Sequence, residues 1–325
     1  MGIKKIKLKG GSLSKTSLVI DGSDKYVLKE ISLNQNREYG FQRWYSQLKK
    51  LQRFEVMFPG LFPKLLDFGY SNEYAYFKIE YIENSKNGYE FLSQETNHQK
   101  IEIFLKNIFN QLNKIHKTKI SYFPNSLELY FEEEVSQRLN DSLKDEEFKI
   151  FAQNKEIIFQ GQKCISLLYN LNEYKSLFIN NNVLEFESFT HGNVTLENIL
   201  YVPNTNKVFF IDPYEENIID NPLTEYSQLL QSSNSLYEFY NSKNIEIKGN
   251  RINCNFNPPH GISYFNSLLK SKLRENLSDK EFKLMHLFEI SQFVRMLPFK
   301  SKEEFDKKIF FYSLASHATD NILKF

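Results

Sequence analysis

Phe189–Pro213 reads F-T-H-G-N-V-T-L-E-N-I-L-Y-V-P-N-T-N-K-V-F-F-I-D-P and carries the most information in the chain. It opens on a polar turn holding His191, Gly192, Asn193 and Asn198. It closes on an apolar, strand-like run, Val208–Ile211, capped by Asp212. Two strands joined back to back place Asn198 and Asp212 at the same open end of a hairpin. Both side chains offer hard oxygen donors, the kind that Mg²⁺ accepts alongside phosphate oxygens.

The flanking sequence supplies what such a site needs. Ile3–Lys9 alternates apolar and basic residues and predicts a half-exposed strand. Gly10–Lys15 is a glycine-serine turn and Thr16–Ile20 a second, β-branched strand. Gly11 and Ser12 fit a backbone loop over phosphates, while taken alone these residues read first as a plain solvent-exposed hairpin. Asp21–Asp24 is a turn, and Tyr26–Ile31 a third strand with Lys29 inside it. Lys29 has two readings, a solvated edge lysine or one reaching inward to a phosphate. In the second reading Glu38 is its expected partner, as the only acid before Glu55 in a helix whose apolar face is Phe41, Trp44, Tyr45, Leu48 and Leu51.

Pro59 and Pro63 end that helix, and Leu65–Tyr70 and Ala75–Ile82 predict two further strands. Beyond Glu83–Gly88 the pattern turns helical. That loop is the expected boundary between a lobe at 1–83 and a lobe at 84–325, and such hinges commonly border ligand clefts. Helices are expected over Ile101–Ile115, Pro124–Gln137, two or three segments within Leu139–Leu184, Glu225–Tyr240, Leu268–Arg274, Glu281–Met296 and Phe305–Ile322. His116, His286 and Arg295 read as partnered structural groups, and Glu132-Glu133-Glu134 as a solvated face.

The bulk properties restrict the function class. A formal net charge of +1 over 325 residues gives no basic surface for nucleic acid. No apolar run is long enough to span a bilayer. Two distant cysteines, Cys164 and Cys254, fit a reducing compartment, and the first residues lack a secretory signal pattern. A cytoplasmic protein is expected.

The order of features is glycine-serine hairpin, strand lysine, helix glutamate, hinge, helices, H-G-x-x-x-x-x-N and I-D. In that order the chain resembles the aminoglycoside phosphotransferase and choline kinase family. The catalytic segment H-G-D-x-x-x-x-N-I-L stands here as His191–Leu200, and the metal segment as Ile211-Asp212-Pro213. Asp220–Ser232 is similar to the D-P-x-x-D-x-x-K-L-L-x-S run, most of all in phosphotransferase-like proteins of bacterial surface-polysaccharide gene clusters.

The resemblance implies an α+β, bilobal protein-kinase-like fold. Its N-lobe is a small antiparallel sheet with one helix, and its C-lobe is large and mostly helical. It implies ATP or GTP with Mg²⁺, Lys29 on the α/β-phosphates, Glu38 orienting Lys29, and Asn198 and Asp212 as metal ligands. Glu80 to Ile82 would meet the base through the backbone, and His191 would be a structural member of the loop. The acceptor would be a small molecule, with a sugar or polysaccharide precursor suggested by the gene-cluster version of the motif.

This sequence departs from the family at the catalytic aspartate, whose place is taken by Asn193. An asparagine carbonyl accepts a hydrogen bond from a hydroxyl and cannot take its proton. Three outcomes follow: a slow enzyme or one with an ionised acceptor, a substitute acid among Glu197, Glu215 and Glu216, or a nucleotide-binding pseudokinase. A protein Ser/Thr kinase is the least favoured class, because no activation segment follows Asp212.

Overall fold

Alternating burial along Asp24–Ser32 turns Lys29 and Ile31 to one face, where they are 9% and 4% exposed. The structure is a computed structural model describing residues 3–8, 14–34, 37–120, 125–214, 216–254 and 257–324. Among these, β1 (Lys4–Lys7), β2 (Ser14–Asp21), β3 (Asp24–Ser32), β4 (Leu65–Tyr70) and β5 (Tyr74–Glu80) form an antiparallel sheet in the order β1-β2-β3-β5-β4. A two-residue turn at Gly22-Ser23 links β2 to β3, and Gly22 supplies the positive φ of 61°.

The helix α1 (Arg37–Met57) covers one face of this sheet. Trp44, Leu48, Leu51 and Phe54 are its buried stripe, spaced by three or four residues. Trp44 stacks on Phe77 of β5 at 5.8 Å between ring centroids and donates its indole N–H to the Tyr76 carbonyl at 3.2 Å. One side chain thus fixes both the distance and the rotation of α1 over the sheet.

After β6 (Lys86–Asn87) come the helices α2 (Gly88–Gln94) and α3 (His98–His116). Ile199–Val202 and Lys207–Phe210 form a hairpin, with β6 as a third strand beside Ile199–Val202. By packing, the chain divides into two compact units. The first is Met1–Phe91, Ile103–Ile115 and His191–Asn217; the second is Leu92–Glu102, His116–Thr190 and Ile218–Phe325. This grouping does not follow the chain-order boundary expected after residue 83. Lys86 and Asn87 pair with Tyr201 and Leu200, and Phe91 packs its ring on Phe104 and Tyr201.

The second unit is mostly helical, including Leu167–Asn180, Pro222–Ser233, His260–Asn276, Asp279–Met296 and Phe305–Leu323. It also holds a four-stranded sheet of Glu156–Phe159, Gln162–Ile165, Glu246–Lys248 and Arg251–Asn253; the first two strands lie where helices and connections were expected, and no element was expected for the other two. Several of its buried charged groups are paired. His116 Nε2 lies 2.6 Å from Glu225 Oε2, and Arg295 Nε donates to Glu134 Oε2 at 2.7 Å. His286 Nδ1 lies 2.8 Å from Glu289.

Glu134 corrects the expectation of a solvated acidic face. Phe131–Gln137 is a π-helical stretch in which Glu134 is 7% exposed while its neighbours Glu132 and Glu133 are exposed. Cys164 and Cys254 are both buried, and burial pushes the Cys164 thiol up to about 12. No helix among the described residues is long and apolar enough to cross a membrane.

Replacing Trp44 with Ala removes the ring stack, the indole hydrogen bond and the volume beneath α1. Denaturant unfolding followed by circular dichroism should register a loss of about 3–5 kcal/mol. Val56→Ala, on the exposed side of the same helix (84% exposed), should stay within about 0.5 kcal/mol.

Candidate functional site

His191 is fully buried, its ring 5.6 Å from Phe62 and 5.3 Å from Phe210 between centroids. Its Nδ1 accepts the Asn193 N–H at 3.2 Å, and its carbonyl accepts the Tyr214 N–H at 2.9 Å. The imidazole therefore works as an internal strut that shapes the turn. Gly192 follows at φ +87°, and a Cβ there would sit 2.3 Å from the Tyr214 carbonyl oxygen. Only glycine lets the two backbones pass this closely.

Val194 and Leu196 are completely buried and pin the loop from below, while Asn193 remains half-buried above them. The Asn193 carbonyl accepts from the Thr195 N–H at 3.0 Å and from Asn198 Nδ2 at 2.9 Å. Asn198 thus spends its amide nitrogen on the loop, and the carbonyl oxygen of its side chain is the atom available to a cation. The Ile211 N–H donates to the Asn198 carbonyl at 2.9 Å, one step beyond the Ile199–Phe210 pair. That register brings Asn198 and Asp212 to the same end of the hairpin, as the sequence implied.

Asp212 adopts the left-handed conformation at φ +54°, a cost for a non-glycine residue that surrounding contacts must hold. Lys29 Nζ lies 2.6 Å from Asp212 Oδ1, with the lysine side chain 11% and the aspartate 36% exposed. This contact decides between the two readings of Lys29: it faces inward. The next two residues are gripped by α1. Gln47 Nε2 donates to the Pro213 carbonyl at 3.1 Å, and Lys50, 1% exposed, donates from Nζ to the Tyr214 carbonyl.

Gln47 was missed by sequence reasoning and corrects the role given to Glu38. Its Oε1 lies 3.5 Å from Lys29 Nζ, so it is the α1 side chain that faces the lysine. Glu38 is exposed in the first turn of α1, nine residues earlier and about 13 Å back along the helix axis. The available signal was periodic: position 47 lies three residues after Trp44 and four before Leu51, on the sheet-facing stripe.

Other expected positions have mixed outcomes. The Glu80 N–H donates to the Lys64 carbonyl at 2.9 Å and its carboxylate accepts the Lys64 N–H at 3.1 Å, so the acid closes the end of the β4–β5 pair. The Ile82 carbonyl is taken into a turn by Ser85, whose Oγ donates at 2.8 Å. Gly11, Ser12 and Glu215 lie outside the described residues. Glu216 is exposed and accepts from Ser46 Oγ of α1 at 3.4 Å, and Glu197 is half-buried.

A cavity of about 20 Å³ adjoins Lys29, Gln47, Phe62, Phe77, Phe210 and Asp212, which is room for about one water. Among the described residues no group of three or more His, Cys, Asp or Glu side chains could hold a metal by itself. The donor set here is one carboxylate and one amide oxygen. That suits Mg²⁺, which completes its shell with phosphate oxygens and water rather than an all-protein cage.

No protein-family model matches the chain, and no curated protein sequence matches it. Solved structures do. The GDP complex of a mutant aminoglycoside 2′-phosphotransferase-IIIa superposes with a TM-score of 0.59 at 13% identity, covering 98% of this chain and 92% of that one. The ADP-bound aminoglycoside phosphotransferase APH(2″)-Ib gives 0.56 at 13% identity, over 97% and 94%. The spectinomycin phosphotransferase APH(9)-Ia, in complex with ADP and spectinomycin, gives 0.52 at 11%, over 97% and 92%. At these identities the likeness speaks for architecture alone: the chain has the protein-kinase-like fold of the aminoglycoside phosphotransferases.

Proposed function

We propose that the chain binds a magnesium-nucleotide, ATP or GTP, and acts as a small-molecule phosphotransferase whose acceptor chemistry is altered at Asn193. The observation that carries this reading is the Lys29–Asp212 contact at 2.6 Å, with Asn198 at the same end of the hairpin. A lysine and a metal-ligating carboxylate side by side supply what phosphoryl transfer draws on most, charge neutralisation and positioning of the phosphates. The similar structures hold GDP or ADP, and one holds spectinomycin, which supports a nucleotide and a small acceptor here.

In this reading Lys29 holds the α/β-phosphates, and Asn198 Oδ1 and Asp212 ligate Mg²⁺ bound to the nucleotide. The segment Glu80–Ile82 meets the base, and Gly11 and Ser12 close over the phosphates. The Asn193 side chain orients the acceptor hydroxyl through its carbonyl, and the proton leaves to water or to the departing phosphoryl oxygens. Losing a general base costs about 10²–10⁴ in rate. A sugar or polysaccharide precursor as acceptor, and action in the cytoplasm, belong to the same reading and rest on the motif resemblance and cysteine usage.

A second reading, nucleotide binding without turnover, is favoured by a specific pair of substitutions. The resemblance places a carboxylate at the catalytic position and has an acid orient the lysine, whereas here position 193 is Asn and the helix side chain facing Lys29 is the amide Gln47. Neither change removes a phosphate or metal contact. Both remove negative charge that would act on the acceptor or on Lys29.

Thermal unfolding with ATP or GTP and Mg²⁺ tests binding directly. At about 100 times Kd the ligand should add about 2.7 kcal/mol, and Asp212→Ala or Lys29→Met should abolish the shift. The absence of any shift with either nucleotide removes the proposal. Asn193→Asp separates the two readings: nucleotide turnover should rise by about 10²–10⁴ if the missing base limits the rate. Equal turnover in variant and wild type would place the limit elsewhere. Gln47→Glu gives Lys29 a second carboxylate and so loosens its hold on Asp212. Mg-nucleotide affinity should then rise about fivefold, for a gain near 1 kcal/mol typical of a charge-assisted bond over a neutral one. Titration calorimetry reads it.

A further inference from the structure

His98 opens α3 and His260 opens the helix His260–Asn276, and their Nε2 atoms face each other at 3.0 Å. Neither residue has a part in the nucleotide site. We propose that this pair is a two-histidine chelate for a divalent transition-metal ion of the zinc class, tying the starts of the two helices together.

The rings are held in place from both sides. His98 lies flat on Tyr264, with centroids 3.8 Å apart and planes at 12°. Tyr264 stands one turn after His260, and its hydroxyl donates to Glu102 Oε1 at 2.8 Å. Glu102 in turn stands one turn after His98. Each helix therefore contributes an i,i+4 pair, and the two pairs interlock.

The backbones beneath are in contact as well. A Cβ on Gly261 would fall 2.3 Å from the Leu92 carbonyl oxygen and 2.6 Å from that of Glu95. Glu95 Oε1 accepts the N–H groups of Thr96 and Asn97 at 3.1 and 3.0 Å, and Asn97 Oδ1 accepts that of Lys100 at 3.3 Å. The first turn of α3 is thus fixed against the first turn of the other helix before any ion arrives. A ligand pair on such a base loses little freedom on binding.

The separation suits a shared ion. With imidazole–metal bonds of about 2.0–2.1 Å, nitrogens 3.0 Å apart subtend about 94° at the metal. That is a cis angle for a tetragonal or octahedral ion, and widening the gap by about 0.3 Å reaches the tetrahedral angle of zinc. At 3.0 Å at most one of the two nitrogens carries a proton, so at least one lone pair already points at its neighbour.

The class of ion follows from the surroundings. Two helix N-termini oppose a cation held by charge alone, and the facing donors are nitrogen. Mg²⁺ and Ca²⁺, which take oxygen, are disfavoured on both counts, whereas Zn²⁺, Ni²⁺ and Cu²⁺ prefer imidazole. Both histidines are exposed, which leaves the remaining coordination positions to water.

The test uses the untagged full chain, stripped with EDTA and titrated with ZnCl₂ in excess Mg²⁺ by calorimetry, with thermal unfolding in parallel. One Zn²⁺ per chain is expected, with a rise in the unfolding temperature that Mg²⁺ alone does not give. His98→Ala and His260→Ala should each weaken binding roughly tenfold or more and cancel the thermal shift. Tyr264→Phe keeps the ring stack and should retain the ion. Because the substituted side chains are exposed, circular dichroism of both histidine variants should match wild type. Absence of Zn²⁺ binding, or a loss smaller than tenfold in either histidine variant, overturns the proposal. Neither result bears on nucleotide binding, which involves none of these residues.

Discussion

The contact on which the geometry of the candidate site depends is the ion pair between Lys29 and Asp212, separated by 183 residues in sequence. A lysine on the inner face of a central strand is costly without a compensating charge. Asp212 supplies the charge, but only from a left-handed backbone conformation that an aspartate does not adopt freely. The pair therefore persists because other contacts over-determine the segment after Asp212. Gln47 and Lys50 bind two successive carbonyls there, and both stand on a helix already locked to the sheet by Trp44. Packing of an apolar stripe is thereby converted into the placement of one charged atom.

The opposite side of the site obeys a steric constraint rather than an electrostatic one. Gly192 and the Tyr214 carbonyl occupy nearly the same space, and His191 fills the volume behind them between two phenylalanines. With the imidazole buried and its Nδ1 bonded to the turn, the first residue of the motif acts on chemistry only through the loop it shapes. Asn198 performs a comparable service: its nitrogen ties the loop to itself, which aims its oxygen outward. Geometry suited to a hard cation thus arises from a glycine, a buried histidine and an amide, none of which is acidic.

Much of this was legible in the sequence because the signals were local. The five strands and the first helix follow from alternation, turn residues and a three-to-four spacing of aromatics, and the hairpin register follows from the length of Ile199–Phe210. What escaped was set by tertiary contact. Glu38 looked like the lysine's partner because it is an acid near the start of a helix, yet a first-turn acid is equally explained by the helix dipole. Gln47 carries no charge and resembles any surface glutamine until the buried stripe is followed through it. Glu134 escaped because its partner, Arg295, lies 161 residues away in sequence. The short strands of the second unit are three or four residues long, too brief for alternation to mark them.

The charge balance of the site is the last step. Lys29 and Asp212 offset each other's charge, and the side chains at the neighbouring positions 47 and 193 are amides. Such a site sets one carboxylate against one ammonium. It also offers the metal fewer anionic ligands of its own, so the nucleotide's phosphates must hold more of the ion's shell. Charge attraction thus favours binding of the nucleotide with its metal already attached. The same substitutions withdraw the group that would accept a proton from an incoming hydroxyl. On the reading proposed above, binding and catalysis rest on separate residues: Lys29, Asn198 and Asp212 for the first, and position 193 for the second.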